Sequence, residues 1–286
     1  MPAGGTTDII TRLVAHRMSE AFAQQIVVDN RPGGVMTIAT ELLAKAPADG
    51  YTIGTLLTPT TVNPYVLKDL PYNTERDLQA VSQMVAVPGV MTMNPGVPAN
   101  NLKEIIALAK AKPSTLNYGS PGAITSGHLS MELLKLHAGI DIQHIPYKGG
   151  APAIAGLIGG QIQFLISGAP GVLPHVNAGR LKAIATTGAK RSPGMPNTPT
   201  FIESGVPNFD KAEWYGVFVP ANVPRPIINK LAAEVARIIR LPDISEKLSA
   251  QGAILVGSGP EEFTRFVRSE MKLWGTVAKK IGLKPD

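Results

Sequence analysis

Apolar residues along this chain alternate between a helical rhythm and short continuous runs. Ile9, Ile10, Leu13, Val14, Met18, Ala21 and Phe22 recur at the spacing of one helix face. Ile26-Val27-Val28 then reads as a short buried strand, closed by Asp29-Asn30-Arg31-Pro32-Gly33-Gly34. A second helix carries Ile38, Leu42 and Leu43 and stops at Pro47. Residues 51–57 form the next expected strand, and Thr58 to Pro64 reads as a polar loop at its carboxyl end. Strand, helix and strand joined by short links predict a parallel sheet covered by helices. Residues 85–93 are extended and interrupted at Pro88-Gly89, a segment able to leave one domain for another.

A second α/β run opens on Asn101 as N-cap with Glu104 three residues on, a variant of the capping box, and Leu102, Ile105, Ile106 and Ala109 supply the buried face. Strands are expected at residues 116–118, 142–145, 162–167 and 181–186, with helices starting near Ala151 and Gly171 between the later ones. Residues 215–219 are again extended and able to return the chain to the first domain. The C-terminal third is mostly helical. Ile227, Leu231, Val235 and Ile238 mark one helix, and Ile244 and Leu248 a short one. Phe263, Phe266, Val267, Met271, Trp274 and Ile281 mark the last, which Pro260 and Glu261 start and which is expected to pack back on the first domain.

One stretch carries the chemistry. Tyr118-Gly119-Ser120-Pro121-Gly122-Ala123-Ile124-Thr125-Ser126-Gly127-His128-Leu129 reads as a strand end, a loop of small and hydroxylated residues, and an apolar helix with Thr125 or Ser126 as N-cap. A helix begun this way points free backbone N–H groups and the positive end of its dipole at whatever fills the loop, which favours an anion. A lone loop of this kind is an ordinary turn, but the pattern recurs. Pro2-Ala3-Gly4-Gly5-Thr6-Thr7-Asp8 runs straight into the first helix, and Pro146-Tyr147-Lys148-Gly149-Gly150-Ala151-Pro152 precedes another. The repetition suggests a cleft built to hold something negatively charged.

Composition narrows the field. The 286 residues suffice for two domains, and 44% hydrophobic against 17% charged residues describes a globular chain. No apolar run reaches membrane-spanning length, and with no cysteine there is no disulfide, zinc–thiolate site or thiol nucleophile. The formal charge of +6 comes from scattered Lys and Arg with only 5% aromatics, which favours attraction of small anions over nucleic-acid binding. No secretory signal pattern is present.

The order of motifs resembles the substrate-binding receptors of tripartite tricarboxylate transporters, the Bug family of periplasmic solute-binding proteins. The matching pieces are Pro2 to Asp8, Val28-Asp29-Asn30-Arg31-Pro32-Gly33, Ala46-Pro47-Ala48-Asp49-Gly50-Tyr51-Thr52 and Tyr118-Gly119-Ser120 with Thr125-Ser126 and His128-Leu129. His144-Ile145-Pro146-Tyr147-Lys148-Gly149, Gly160-Gln161-Ile162, Pro199-Thr200, Trp214-Tyr215-Gly216 and Pro260-Glu261-Glu262-Phe263 continue the series. The resemblance implies an α/β, two-lobed clamshell of the type II periplasmic binding protein class, each lobe a mostly parallel sheet flanked by helices. Lobe 1 is expected at residues 1–92 and 218–286, lobe 2 at 93–217, with the ligand between them.

Carried over residue by residue, the resemblance places one carboxylate on Gly4, Gly5, Thr6 and Thr7, with Asp8 ordering that loop. Thr58 and Asn63 line the same lobe. Ser120, Thr125 and Ser126 hold the other end of the ligand, with Ser167 and Pro170 on the wall. His128 is a hydrogen-bonding or packing residue of the site, and Lys148 is either an anion contact or a solvated side chain. Family members carry a strand and a secretion signal ahead of Pro2, so the first strand of lobe 1 is expected to be missing here and its neighbours left without ladder partners. Val35 and Met36 stand where glycines are usual, and Ile124 replaces another small residue. Gln163 and Ser167 replace aspartates and are expected beside the second-lobe pocket, which points to a different ligand from the amino dicarboxylates of some relatives.

The implied function is an extracytoplasmic, periplasmic, monomeric receptor that hands a small carboxylate to the permease subunits of a membrane transporter, with no enzymatic activity, cofactor, metal or nucleic-acid partner. A sensor of the same fold that reports to a kinase is the alternative. A serine hydrolase ranks lower, because Asn117-Tyr118-Gly119-Ser120-Pro121-Gly122 misses the nucleophile-elbow spacing by one position. His16, His137, His144 and His175 show no metal-like i, i+4 pairing, and no Walker-type loop is present.

Overall fold

The computed structural model describes residues 6–192, 194–250 and 252–283. Elements follow the periodicity of the sequence closely. In chain order they are α1 (Thr6–Phe22), α2 (Thr37–Ala44), β1 (Gly54–Leu56), α3 (Pro59–Val66), α4 (Thr74–Asp77), β2 (Leu78–Val87) and β3 (Gly89–Met93). Then come α5 (Leu102–Ala111), β4 (Asn117–Ser120), α6 (Ser126–Ala138), β5 (Gln143–Pro146), α7 (Gly150–Ile158), β6 (Phe164–Gly168), α8 (Ala169–Asn177) and β7 (Lys182–Thr186). The chain closes with β8 (Glu213–Pro220), α9 (Arg225–Ile238), α10 (Pro242–Ala250), β9 (Ile254–Leu255) and α11 (Pro260–Ile281).

These elements form two compact units. The first holds the described residues up to Ala86, Trp214–Ser249 and those from Leu255; the second holds Val87–Glu213 and Ala250–Ile254. Within the first, strand order is β1-β8-β2-β9, and β1 pairs antiparallel with β8 through Thr55 and Val217. Its core is aromatic: fully buried Trp214 meets Phe263 edge-on at 5.7 Å between centroids, Phe218 meets Phe263 at 5.1 Å, and α11 packs along α3. Within the second, strand order is β5-β4-β6-β3-β7. The Asn101 cap forms as the sequence indicates, its Oδ1 accepting from the Glu104 amide at 2.9 Å, while Glu104 reaches back to the Asn100 amide at 2.7 Å.

The second sheet is mostly parallel, as the resemblance implied: β4 runs parallel to β5 and β6, and β3 alone is antiparallel to its neighbours β6 and β7. Two expectations are corrected. Ile26-Val27-Val28 forms no strand; it joins no ladder among the described residues, and Val27 is 78% exposed. Three apolar residues mark a strand only where a partner strand pairs with them. The polar run after β1 is not a loop but α3, because Pro59 fixes the first helical turn and Pro64 falls late enough that the helix ends two residues beyond it. No helix among the described residues is long and apolar enough to cross a membrane.

Candidate ligand-binding loops

The second unit gathers its candidate residues at one end of three parallel strands. Because β4 lies between β5 and β6 in parallel register, Ser120 ends beside Pro146, and the carboxyl ends of all three strands open on the same side. The ladder continues past the strands: the Tyr147 amide donates to the Ser120 carbonyl at 2.9 Å, and the Gly149 amide to the Pro121 carbonyl at 3.0 Å. Two of the small-residue loops are thereby zipped together, with exposed Lys148 between the two bonds. Ser167, near the end of β6, keeps a buried hydroxyl with no hydrogen-bond partner among the described residues, and Pro170 sits in the first turn of α8. Gln163 lies elsewhere. Its Oε1 accepts from the Asn117 amide at the amino end of β4, three residues and about 10 Å of strand from Ser120, so it is not a neighbour of these loops.

The loop from Ser120 to Thr125 is closed on itself. Ser120 Oγ and Thr125 Oγ1 both donate to the Gly122 carbonyl at 2.8 Å, and the Gly122 amide donates back to Ser120 Oγ at 3.2 Å. Thr125 therefore occupies the N-cap position of α6 without capping it by its side chain. Ser126, the first residue of α6, makes no side-chain hydrogen bond among the described residues. The amides of Ser126, Gly127 and His128 have no acceptor within the helix, the ordinary condition of a first turn. Gly127 is required for this placement: a Cβ there would collide with the carbonyl oxygen of Ile166, against which the turn is seated.

Beneath the loop lies a ring cluster. Tyr118 on β4 and His144 on β5 face each other across the ladder with centroids 4.9 Å apart, and His128 of α6 stacks on His144 at 4.0 Å and 10°. His128 Nδ1 accepts from the Ile124 amide at 3.1 Å, and His144 Nε2 lies 2.7 Å from Ser120 Oγ. Burial, with help from His144 and Lys135, pushes His128 down to about 3, so it is neutral near neutrality. Tyr118 donates to Glu132 at 2.6 Å and is held well above the usual phenol range by burial and by that carboxylate; Lys135 donates to the same oxygen at 2.7 Å. Sequence periodicity does not group Tyr118, His144, Glu132 and Lys135, because the β4–β5 register joins the first two and only the packing of α6 on β4 adds the others.

In the first unit, Gly4 and Gly5 lie outside the described residues. Thr6 and Thr7 form the first turn of α1, and buried Asp8 accepts from Arg12 Nε at 2.9 Å. A Thr11–Thr55 hydroxyl bond of 3.0 Å holds α1 on β1. Thr58 directly precedes α3, its carbonyl accepting from the Thr61 amide and hydroxyl, and fully buried Asn63 donates to the Val35 carbonyl at 2.9 Å. No cluster of His, Asp or Glu among the described residues is arranged to hold a metal ion.

A family model described as tripartite tricarboxylate transporter family receptor matches residues 10–283. The chain belongs to that receptor family. BugT of Bordetella pertussis is 33% identical over 99% of this chain and 87% of its own length. Among solved structures, R. palustris Rpa4515 with adipate is 34% identical with a TM-score of 0.87, covering 100% of this chain and 96% of its own. The periplasmic binding protein BugD is 29% identical with a TM-score of 0.83, covering 99% and 96%. As a tripartite tricarboxylate transporter family receptor, the chain has the mixed α/β fold of these periplasmic binding proteins and the solute-binding role of its family.

Proposed function

We propose that this receptor captures a small carboxylate on the loops at the carboxyl ends of β4, β5 and β6 and delivers it to the membrane permease subunits of a tripartite transporter. It acts as a monomer in the periplasm and performs no catalysis. The observation that carries the reading is the match of residues 10–283 to a solute-receptor family, one solved relative of which is described with adipate. The geometry supports a location. Ser126 and the first-turn amides of α6 are neutral donors backed by a helix dipole, and Lys148 adds a cation on the loop tied to Ser120 and Pro121. Residues Thr6, Thr7, Asp8 and Thr58, with Gly4 and Gly5, are the first-unit partners in this reading.

The pairing of Ser120 with His144 has the outline of a hydrolytic dyad, but Ser120 is fully buried and its hydroxyl is taken up by the Gly122 backbone, which supports binding over turnover. A thermal-shift panel of mono-, di- and tricarboxylates tests the reading, since a ligand that binds only the folded chain raises its midpoint. At least one carboxylate is expected to do so, and Ser126→Ala is expected to weaken it by about 1–2 kcal/mol. A panel with no shift, or turnover of an ester substrate, overturns the proposal.

A further inference from the structure

The hydrogen bonds around the Ser120–Thr125 loop constrain where its protons sit. The Gly122 carbonyl accepts from both Ser120 Oγ and Thr125 Oγ1, and Ser120 Oγ in turn accepts from the Gly122 amide and pairs with His144 Nε2 at 2.7 Å. At the other end of the loop, Ile124 is in the left-handed region at φ +62°, fully buried, and its amide has to find an acceptor away from water. His128 Nδ1 is that acceptor, which makes His128 the neutral Nε2–H tautomer. The two rings that hold the two ends are stacked on each other at 4.0 Å, so each forms part of the other's packing.

We propose that His144 and His128 are positioning residues: a stacked imidazole pair that clamps the Ser120–Thr125 loop, His144 at its start through Ser120 Oγ and His128 at its end through the Ile124 amide. The clamp fixes the backbone turn that delivers the chain into α6, and so sets where Ser126 and the first-turn amides point. Its consequence for ligand capture rests on the carboxylate reading above; its consequence for the loop does not.

Amide hydrogen exchange at Ile124 tests the clamp without any ligand, using the whole chain. His128→Leu removes the acceptor and is expected to speed Ile124 exchange at least tenfold, with core amides of α9 unchanged. His128→Asn, whose Oδ1 can take the place of Nδ1, is expected to restore protection to within about threefold. His144→Phe keeps the stack but not the bond to Ser120, and is expected to speed exchange at Gly122 while leaving Ile124 protected. Imidazole nitrogen shifts are expected to report an unprotonated Nδ1 and Nε2–H for His128 at pH 7. Unchanged Ile124 exchange in His128→Leu, equal loss in His128→Asn and His128→Leu, or an Nδ1–H tautomer for His128 overturns the clamp. Adipate titration of the same proteins separates the two readings. If wild type binds, His128→Leu should lose at least tenfold in affinity and His128→Asn should not. Equal adipate affinity across all three, with Ile124 exchange altered, removes the loop from the site and leaves the clamp standing.

Discussion

The turns leading into α2 and α6 pose the same backbone problem and brace it with different chemistry. Before α2, Val35 and Met36 lie at φ +48° and +72°; before α6, Ile124 lies at +62°. Each such residue costs about 1–2 kcal/mol when it carries a Cβ, and each turn is tied by a buried polar side chain. Asn63 reaches across from α3 to the Val35 carbonyl, whereas His128 is four residues along the chain from the Ile124 amide it accepts. An amide donor is indifferent to pH. An imidazole acceptor works only while neutral. Left-handed strain has therefore been given a pH-blind brace in the first unit and a titratable one in the second.

The largest expected effect follows from that difference. His128 titrates at about 3 when folded and near 6.5 when unfolded. Above 6.5 it is neutral in both states. As pH falls below 6.5 the unfolded chain takes up a proton that the folded chain refuses, so stability declines steadily until pH reaches about 3. The full loss is on the order of 5 kcal/mol. Both tryptophans, Trp214 and Trp274, belong to the first unit. In urea titrations at pH 4 and 7, the circular-dichroism transition of the second unit is therefore expected to shift more than the fluorescence transition. His128→Asn should remove that excess. Identical pH dependence in wild type and His128→Asn would mean the imidazole is not held neutral, and the comparison would fail.

The intermediate effect belongs to the amide brace. Asn63→Leu removes a buried amide and leaves the part-buried Val35 carbonyl without its donor, an expected cost of about 2 kcal/mol. The fluorescence midpoint should fall by the same amount at pH 4 and pH 7. A pH-dependent loss would show that the first unit, too, relies on a titrating neighbour there. Buried Tyr72, which faces Asn63, is pushed upward by burial and stays neutral across that range.

Helices and strands with strong period are legible from sequence to within a few residues. The segments that are not depend on partners. Ile26-Val27-Val28 has the composition of a strand but no ladder, and the mixed direction of the second sheet comes from β3, whose orientation no local pattern encodes. The loop at Ser120 to Ser126 is legible as the start of a helix, yet the division of labour inside it is not. Ser120, Thr125 and Ser126 look alike in sequence, and only the positions of the Gly122 carbonyl and His144 separate two loop-closing hydroxyls from one unengaged hydroxyl. Asn63 and His128 read in sequence as polar residues near a loop, but both are buried and face backbone groups. Polarity in a sequence does not say whether the partner is a ligand or the chain itself.

The smallest expected effect is a gain. Val35 is only half-buried, so Val35→Gly relieves left-handed strain at little cost in burial. Against a relief of about 1–2 kcal/mol stands about 0.5–1 kcal/mol of added freedom in the unfolded chain, leaving the variant about 0.5 kcal/mol more stable. The same change at Ile124 gives the opposite sign, because a fully buried side chain is lost with the strain, and about 2 kcal/mol of burial outweighs the relief. Urea midpoints for both variants decide the matter. Should Val35→Gly be the less stable protein, the Asn63 bond must depend on the Val35 side chain to hold the turn in register, and the turns before α2 and α6 would differ in what fixes them as well as in what braces them.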